Sequence, residues 1–142
     1  MKIFFLWLCC LPVLAGPADT YQLTIHFENI KHQEGTLLLG FYEDERSWNK
    51  RRPAFEKIVK KSGLKDGKIT VTLDQLYARR YGIAVLDDAN NNNKVDFGLI
   101  FPEEGFGFSN YYHSSFLPPQ YRDFQFVFPT TSRVTVRMRY LD

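Results

Sequence analysis

The sequence predicts an all-β domain, an antiparallel β-sandwich of about seven strands with one long aromatic loop. Two observations carry this reading. Apolar residues recur at every second position in six separate runs, and turn-forming residues cluster between the runs. A period of two sends alternate side chains to opposite faces of a strand, so each run describes a strand with a buried face and a wet one.

The first run sets Leu23, Ile25 and Phe27 against Gln22, Thr24, His26 and Glu28. The second holds Leu37, Leu39 and Phe41, less cleanly because Leu38 is also apolar. Ile69, Val71 and Leu73 alternate with Lys68, Thr70, Thr72 and Asp74, after an Asp66-Gly67 pair that favours a tight turn. Ile83 and Val85 mark the fourth run, Phe124, Phe126 and Phe128 the fifth, and Val134, Val136, Met138 and Tyr140 the sixth. Turn signals stand at His32-Gln33-Glu34-Gly35, at the asparagine run 90–93, at Pro118-Pro119 and at 129–132. Residues 55–61 fit either a seventh strand or a short helix, because Phe55, Ile58 and Val59 suit both periods.

Residues 97–121 have no sustained period and are too long for an ordinary connector. They hold Phe97, Phe101, Phe106, Phe108, Tyr111, Tyr112, Phe116 and Tyr121. Large aromatic side chains mostly serve burial, so the first expectation is a lid whose rings complete the core. The second is a ligand surface on which Phe106, Phe108, Tyr111 and Tyr112 stack against a sugar or a peptide.

The chain opens with Lys2, an apolar run through Leu14, and small residues Val13 and Ala15. That is the pattern of a secretory signal peptide cut after Ala15, leaving residues 16–142 as a single sandwich domain. The run is too short to span a bilayer as a helix, so no transmembrane segment is expected after signal removal. Both cysteines, Cys9 and Cys10, depart with the signal, so the expected periplasmic or secreted product has no disulfide. Lys and Arg number 18 against 16 Asp and Glu, a balance that argues against nucleic-acid binding. The basic stretch 46–61 reads as a solvated surface segment.

The stretch Leu86-Asp87-Asp88-Ala89-Asn90 and onward carries the one chemical candidate. Counted from Asp88, oxygen-bearing side chains fall at positions one (Asp88), three (Asn90), five (Asn92) and nine (Asp96), with the carbonyl of Lys94 at seven. Calcium loops use this alternation, because a curled chain turns alternate oxygens toward one ion. Asn93 holds the sixth position, where a sharp turn usually needs Gly, and Leu99 replaces the usual twelfth-position Glu. Glu103 or Glu104 would have to supply the missing carboxylate. With so few charges the expected affinity for Ca²⁺ is weak, about 10⁻⁴ to 10⁻³ M. The competing expectation is an Asn-rich turn whose side chains cap its own backbone.

No catalytic set stands out. His26 and His32 match no zinc spacing, and His113 beside Ser114 and Ser115 does not by itself make a nucleophile–base pair. Glu103, Glu104 and Asp123 are carboxylates without a pattern, so a non-enzymatic domain is expected.

Taken together, residues 82–110, then Pro118-Pro119 with Phe124, then Arg139-Tyr140, resemble a family of secreted bacterial proteins classed as a domain of unknown function, number 2141. Its members carry a D-x-N-x-N-G-K-x-D loop, matched by Asp88, Asn90, Asn92, Lys94 and Asp96. A following P-K-E-G-[YF]-G-F-S-N segment is matched by Pro102, Glu104, Gly105, Phe106, Gly107, Phe108, Ser109 and Asn110. Asn93 and Glu103 depart from it, standing where the family has Gly and Lys. The resemblance implies a secreted sandwich, transthyretin-like or immunoglobulin-like. The expected partner is a glycan or a cell-envelope protein.

Overall fold

The structure, a computed structural model, describes residues 16–92 and 104–141. The expected signal peptide, 1–15, lies outside the described residues. Among those described are eight strands in two sheets and two short helices. In chain order they are β1 (Thr20–Glu28), β2 (Thr36–Tyr42), α1 (Glu45–Asn49), β3 (Phe55–Lys60) and β4 (Ile69–Tyr77). Then follow β5 (Arg79–Asp88), β6 (Phe106–Phe108), α2 (Tyr121–Phe124), β7 (Gln125–Phe128) and β8 (Arg133–Arg137).

One sheet runs β4-β1-β8 and the other β3-β2-β5, with β7 and β6 pairing with successive stretches of β5, at 79–82 and 84–86. The two sheets form a β-sandwich, and no described helix is long and apolar enough to cross a membrane. All pairs are antiparallel except one. β8 lies parallel to β1, with Ile25 opposite Val134 and Phe27 opposite Val136, the one parallel pair among the described strands of an otherwise antiparallel sandwich. The short turn after β7 carries the chain from one sheet to the other, so β8 enters beside β1 in the same direction.

The alternating residues meet between the sheets. Leu23, Ile25 and Phe27 face Leu37, Leu39, Phe41, Tyr81, Ile83 and Val85, and Val134, Val136 and Met138 close the side. Within 55–61, residues 55–60 form strand β3, because Phe55 and Val59 pair with Phe41 and Leu37 and turn toward this core. On edge strand β4, Tyr21 pairs with Leu76 and Leu23 with Leu73, so one extra residue is accommodated with Gln75 at φ 60. Such a bulge twists an exposed edge away from further pairing.

A second apolar cluster packs on the outer side of the β2-β5 sheet, joining Tyr42, Trp48, Ala84, Phe108, Tyr121 and Phe124. It corrects the reading of 46–61 as wholly solvated. A helix of five residues is too short to hold itself. Asp44 accepts the Ser47 N–H at 2.7 Å and so starts it. Trp48, 2% exposed, anchors it by donating from Nε1 to the Pro119 carbonyl at 2.7 Å. Arg51 then covers the indole from outside, its guanidinium carbon 3.8 Å from the ring centroid. Trp48→Ala should therefore cost about 3–5 kcal/mol of stability in urea unfolding. Ile58→Thr, at an outward position 60% exposed, should change it by less than about 0.5 kcal/mol.

Candidate metal centre

β5 delivers two neighbouring carboxylates to one end of the sandwich, and the strand's alternation gives them different fates. Asp87 and Asp88 are both wholly buried. Asp87 shares the inward face of Ile83 and Val85, and Asp88 the outer face of Ala84 and Leu86.

Asp87 is saturated by the protein. Oδ1 forms a buried ion pair with Lys61 Nζ, and Oδ2 accepts from the Tyr140 hydroxyl at 2.6 Å. Lys61 gives its other two N–H bonds to the carbonyls of His32, at 2.9 Å, and Glu34, at 2.5 Å. The three donors of the ammonium are thus used, which is the condition for burying it. The Tyr140 oxygen in turn accepts the Lys31 N–H at 2.9 Å.

Asp88 closes the turn that follows. Its Oδ1 accepts the Asn92 N–H at 3.1 Å, and Asn90 Oδ1 accepts the same N–H at 3.0 Å. The oxygens of loop positions one and three therefore converge on one point, with Asn91 left-handed at φ 55. The turn before β2 backs directly against this carboxylate's main chain. Gly35 has φ +77, and a Cβ there would lie 1.9 Å from the Asp88 carbonyl oxygen, so only glycine fits.

Glu104 completes the acidic end. Its Oε1 is buried and accepts no hydrogen bond from the described residues. Burial pushes its carboxyl above the ordinary value, and the negative charges of Asp88 and Asp87 push it further, with His32 and Lys61 pulling back weakly. Gly105 next to it packs under the Tyr140 ring, where a Cβ would come within 2.3 Å of Cε1. Its carbonyl accepts the Asp87 N–H at 2.8 Å.

Of the six residues expected at the metal loop, Asp88, Asn90, Asn92 and Glu104 thus lie at this end. Lys94 and Asp96 lie outside the described residues. Among the described residues no group of three His, Cys, Asp or Glu side chains is arranged to hold a metal ion. The sequence reading missed Lys61, although the strand phase of Phe55 and Val59 places Lys61 on the same inward face.

The aromatic set is divided. Phe108 is 5% exposed, its ring edge-on to Trp48 at 5.8 Å and tilted against Phe124 at 5.1 Å, so it has no face left for a ligand. Phe106 and Tyr111 are half-buried and pack against the same cluster, while Tyr112 is 49% exposed. The segment from Glu104 to Asn110 also rivets the sheets together. Ser109 accepts the Ile83 N–H at 3.0 Å and donates to the Phe124 carbonyl at 2.6 Å. Asn110 exchanges two bonds with Thr135 on the edge of β8, at 2.8 and 2.9 Å. His113 is buried, with Nε2 2.5 Å from the Leu117 carbonyl and no hydroxyl of Ser114 or Ser115 bonded to it.

Residues 25–137 match the family described as "uncharacterized protein conserved in bacteria (DUF2141)". The chain belongs to this family. Neither the comparison with curated proteins nor that with solved structures gives a match. The family match runs from within β1 to the end of β8 and includes both carboxylates of β5.

Lys61→Met should cost about 3–5 kcal/mol in denaturant unfolding by leaving Asp87 buried and uncompensated. Lys61→Met with Asp87→Leu should recover part of that loss. For Glu104 the folded state holds its proton more tightly than the unfolded chain, so its contribution to stability is fully present below the unfolded-chain value and is lost as pH rises from there through the raised folded value. Glu104→Gln should remove that fall and leave the protein in chelator more stable at neutral pH than the unmodified chain, as read by melting temperature against pH.

Proposed function

We propose that this family member is an exported, non-enzymatic β-sandwich domain that binds Ca²⁺ at the β5 end. Asp88, Asn90, Asn92 and Asp96 supply side-chain oxygens, Lys94 its carbonyl and Glu104 the closing carboxylate. The observation that carries the reading is the buried Oε1 of Glu104, which has no hydrogen-bond partner among the described residues, beside the charge of Asp88. A cation is the natural compensation for a carboxylate that is desolvated, unbonded and repelled by its neighbours. Oxygen-only donors, several of them amides, suit a hard ion with a flexible shell, hence Ca²⁺ rather than Zn²⁺ or Mg²⁺. Asp87 takes no part, since both its oxygens are committed.

The role of the ion is to tie the loop after β5 to Glu104, at the foot of the aromatic stretch that covers Trp48. It serves as a staple in a domain whose expected mature form has no cysteine. The hydrophobic leader supports export, and the weak affinity suits the millimolar calcium found outside cells.

Adding Ca²⁺ at ten times its Kd should stabilise the protein by about 1.4 kcal/mol, a rise of a few degrees in Tm. Asp88→Ala with Asp96→Ala should abolish the rise, and Glu104→Gln should weaken it. An unmodified protein whose melting curve ignores millimolar Ca²⁺ sinks this reading.

A further inference from the structure

The strongest surface feature apart from the β5 end is the outward face of β8. Its burial alternates, with Val134 and Val136 inward and Arg133, Thr135 and Arg137 outward. Arg139 continues the same phase two residues on. The row spans roughly 20 Å at about 3.3 Å per residue. Neither Arg133 nor Arg137 makes an ion pair with a described carboxylate. Glu28, opposite Arg137 by register, turns instead to His26 Nε2 at 3.4 Å.

Aromatic rings are interleaved with these charges. The Arg137 guanidinium lies 4.9 Å from the Tyr112 ring centroid, and that of Arg139 lies 5.9 Å from Phe116. Tyr112 is 49% and Phe116 72% exposed. Arg139 also donates to the carbonyls of His113, at 2.8 Å, and Ser115, at 2.9 Å, which fixes the loop that carries both rings. The edge of β8 is already closed by Asn110, so what remains open is the flat face. That face continues across the sheet as a neutral polar surface. Thr135 lies beside His26, which bonds Thr70 Oγ1 at 2.8 Å, and Arg133 beside Thr24, which pairs with Thr72.

We propose that this face binds an acidic polysaccharide, its carboxylate or sulfate groups on Arg133 and Arg137 and a sugar ring on Tyr112. Guanidinium forks match such oxyanions in two-point geometry, and an exposed ring already backed by a cation is a ready platform for an apolar sugar face. Threonine hydroxyls and His26 suit sugar hydroxyls. Two carboxylates, Glu28 and Asp74, border the same face, and Asp74 is held by Gln22 at 2.7 Å. They disfavour a densely charged phosphodiester chain and tolerate a polymer with spaced charges. The charge lies in a line along a flat sheet, which suits an extended polymer.

The test is calorimetric titration of the purified protein, in chelator, with carboxymethyl-dextran of low substitution and with unsubstituted dextran. Binding is expected for the first and not the second. Arg133→Gln with Arg137→Gln should weaken it about ten- to a hundredfold, and Tyr112→Ala should weaken it separately. Lys57→Gln with Lys60→Gln, removing equal charge at the opposite edge, should leave it unchanged. All these residues are exposed or half-exposed, so the melting temperatures of the variants should match. The proposal is overturned by absence of binding, by an equal loss in the lysine control, or by Tyr112→Ala binding normally. It is also overturned if single-stranded oligothymidylate or phosphatidylglycerol vesicles bind more tightly than the polysaccharide.

Discussion

The buried ion pair between Lys61 and Asp87 is the constraint on which the β5 end depends. It joins the chain just past β3 to β5, and through the remaining Lys61 donors it holds the turn at His32 and Glu34. Through Tyr140 it reaches the C-terminal segment and the Lys31 N–H. Segments far apart in sequence thus meet at one charge pair with no solvent to screen it. A buried pair gains little over apolar packing, but either partner alone is costly, so it acts as a specification of arrangement. Here it sets where the turn before β2, the end of β5 and the last residues of the chain must stand.

That arrangement decides what its neighbour can do. Because Asp87 is neutralised from within, the carboxylates among the described residues left to act at this end are Asp88 and Glu104. Asp88 is placed by strand alternation on the opposite face, where it meets the asparagine turn. Glu104 arrives from the far side of residues 93–103, fixed by Gly105 beneath Tyr140. Two adjacent aspartates in one sequence are therefore chemically unlike, one paired with a buried ammonium and the other bonded to the backbone of the turn that follows.

The outer cluster around Trp48 shows a similar division of labour. α1 is too short to persist alone and α2 shorter still, yet each buries rings against the other and against β6. The indole bond to Pro119 links the segment after β2 to the one before β7. This third layer makes the central strand β5 buried on both faces, and its burial pattern has no alternation from Tyr81 onward. The same layer leaves the outer face of the other sheet uncovered, and there the arginines of β8 stand.

Period-two alternation determined the sandwich from the sequence alone, because a strand with one wet face must alternate and a two-sheet core needs nothing more to be recognised. Local chemistry likewise marked the turns, the capping of the asparagine loop by Asp88 and Asn90, and Glu104 as a candidate. The parallel pairing of β8 with β1, the strand state of 55–60 and the short helix around Trp48 were decided by tertiary contact. Each depends on partners dozens of residues away, and each local pattern was compatible with more than one state. Lys61 illustrates the limit most clearly. Within its own neighbourhood it is one of several lysines of a basic stretch. Only the meeting of the end of β3 with β5 and the turn before β2 supplies the carboxylate and carbonyls that make burying its charge possible.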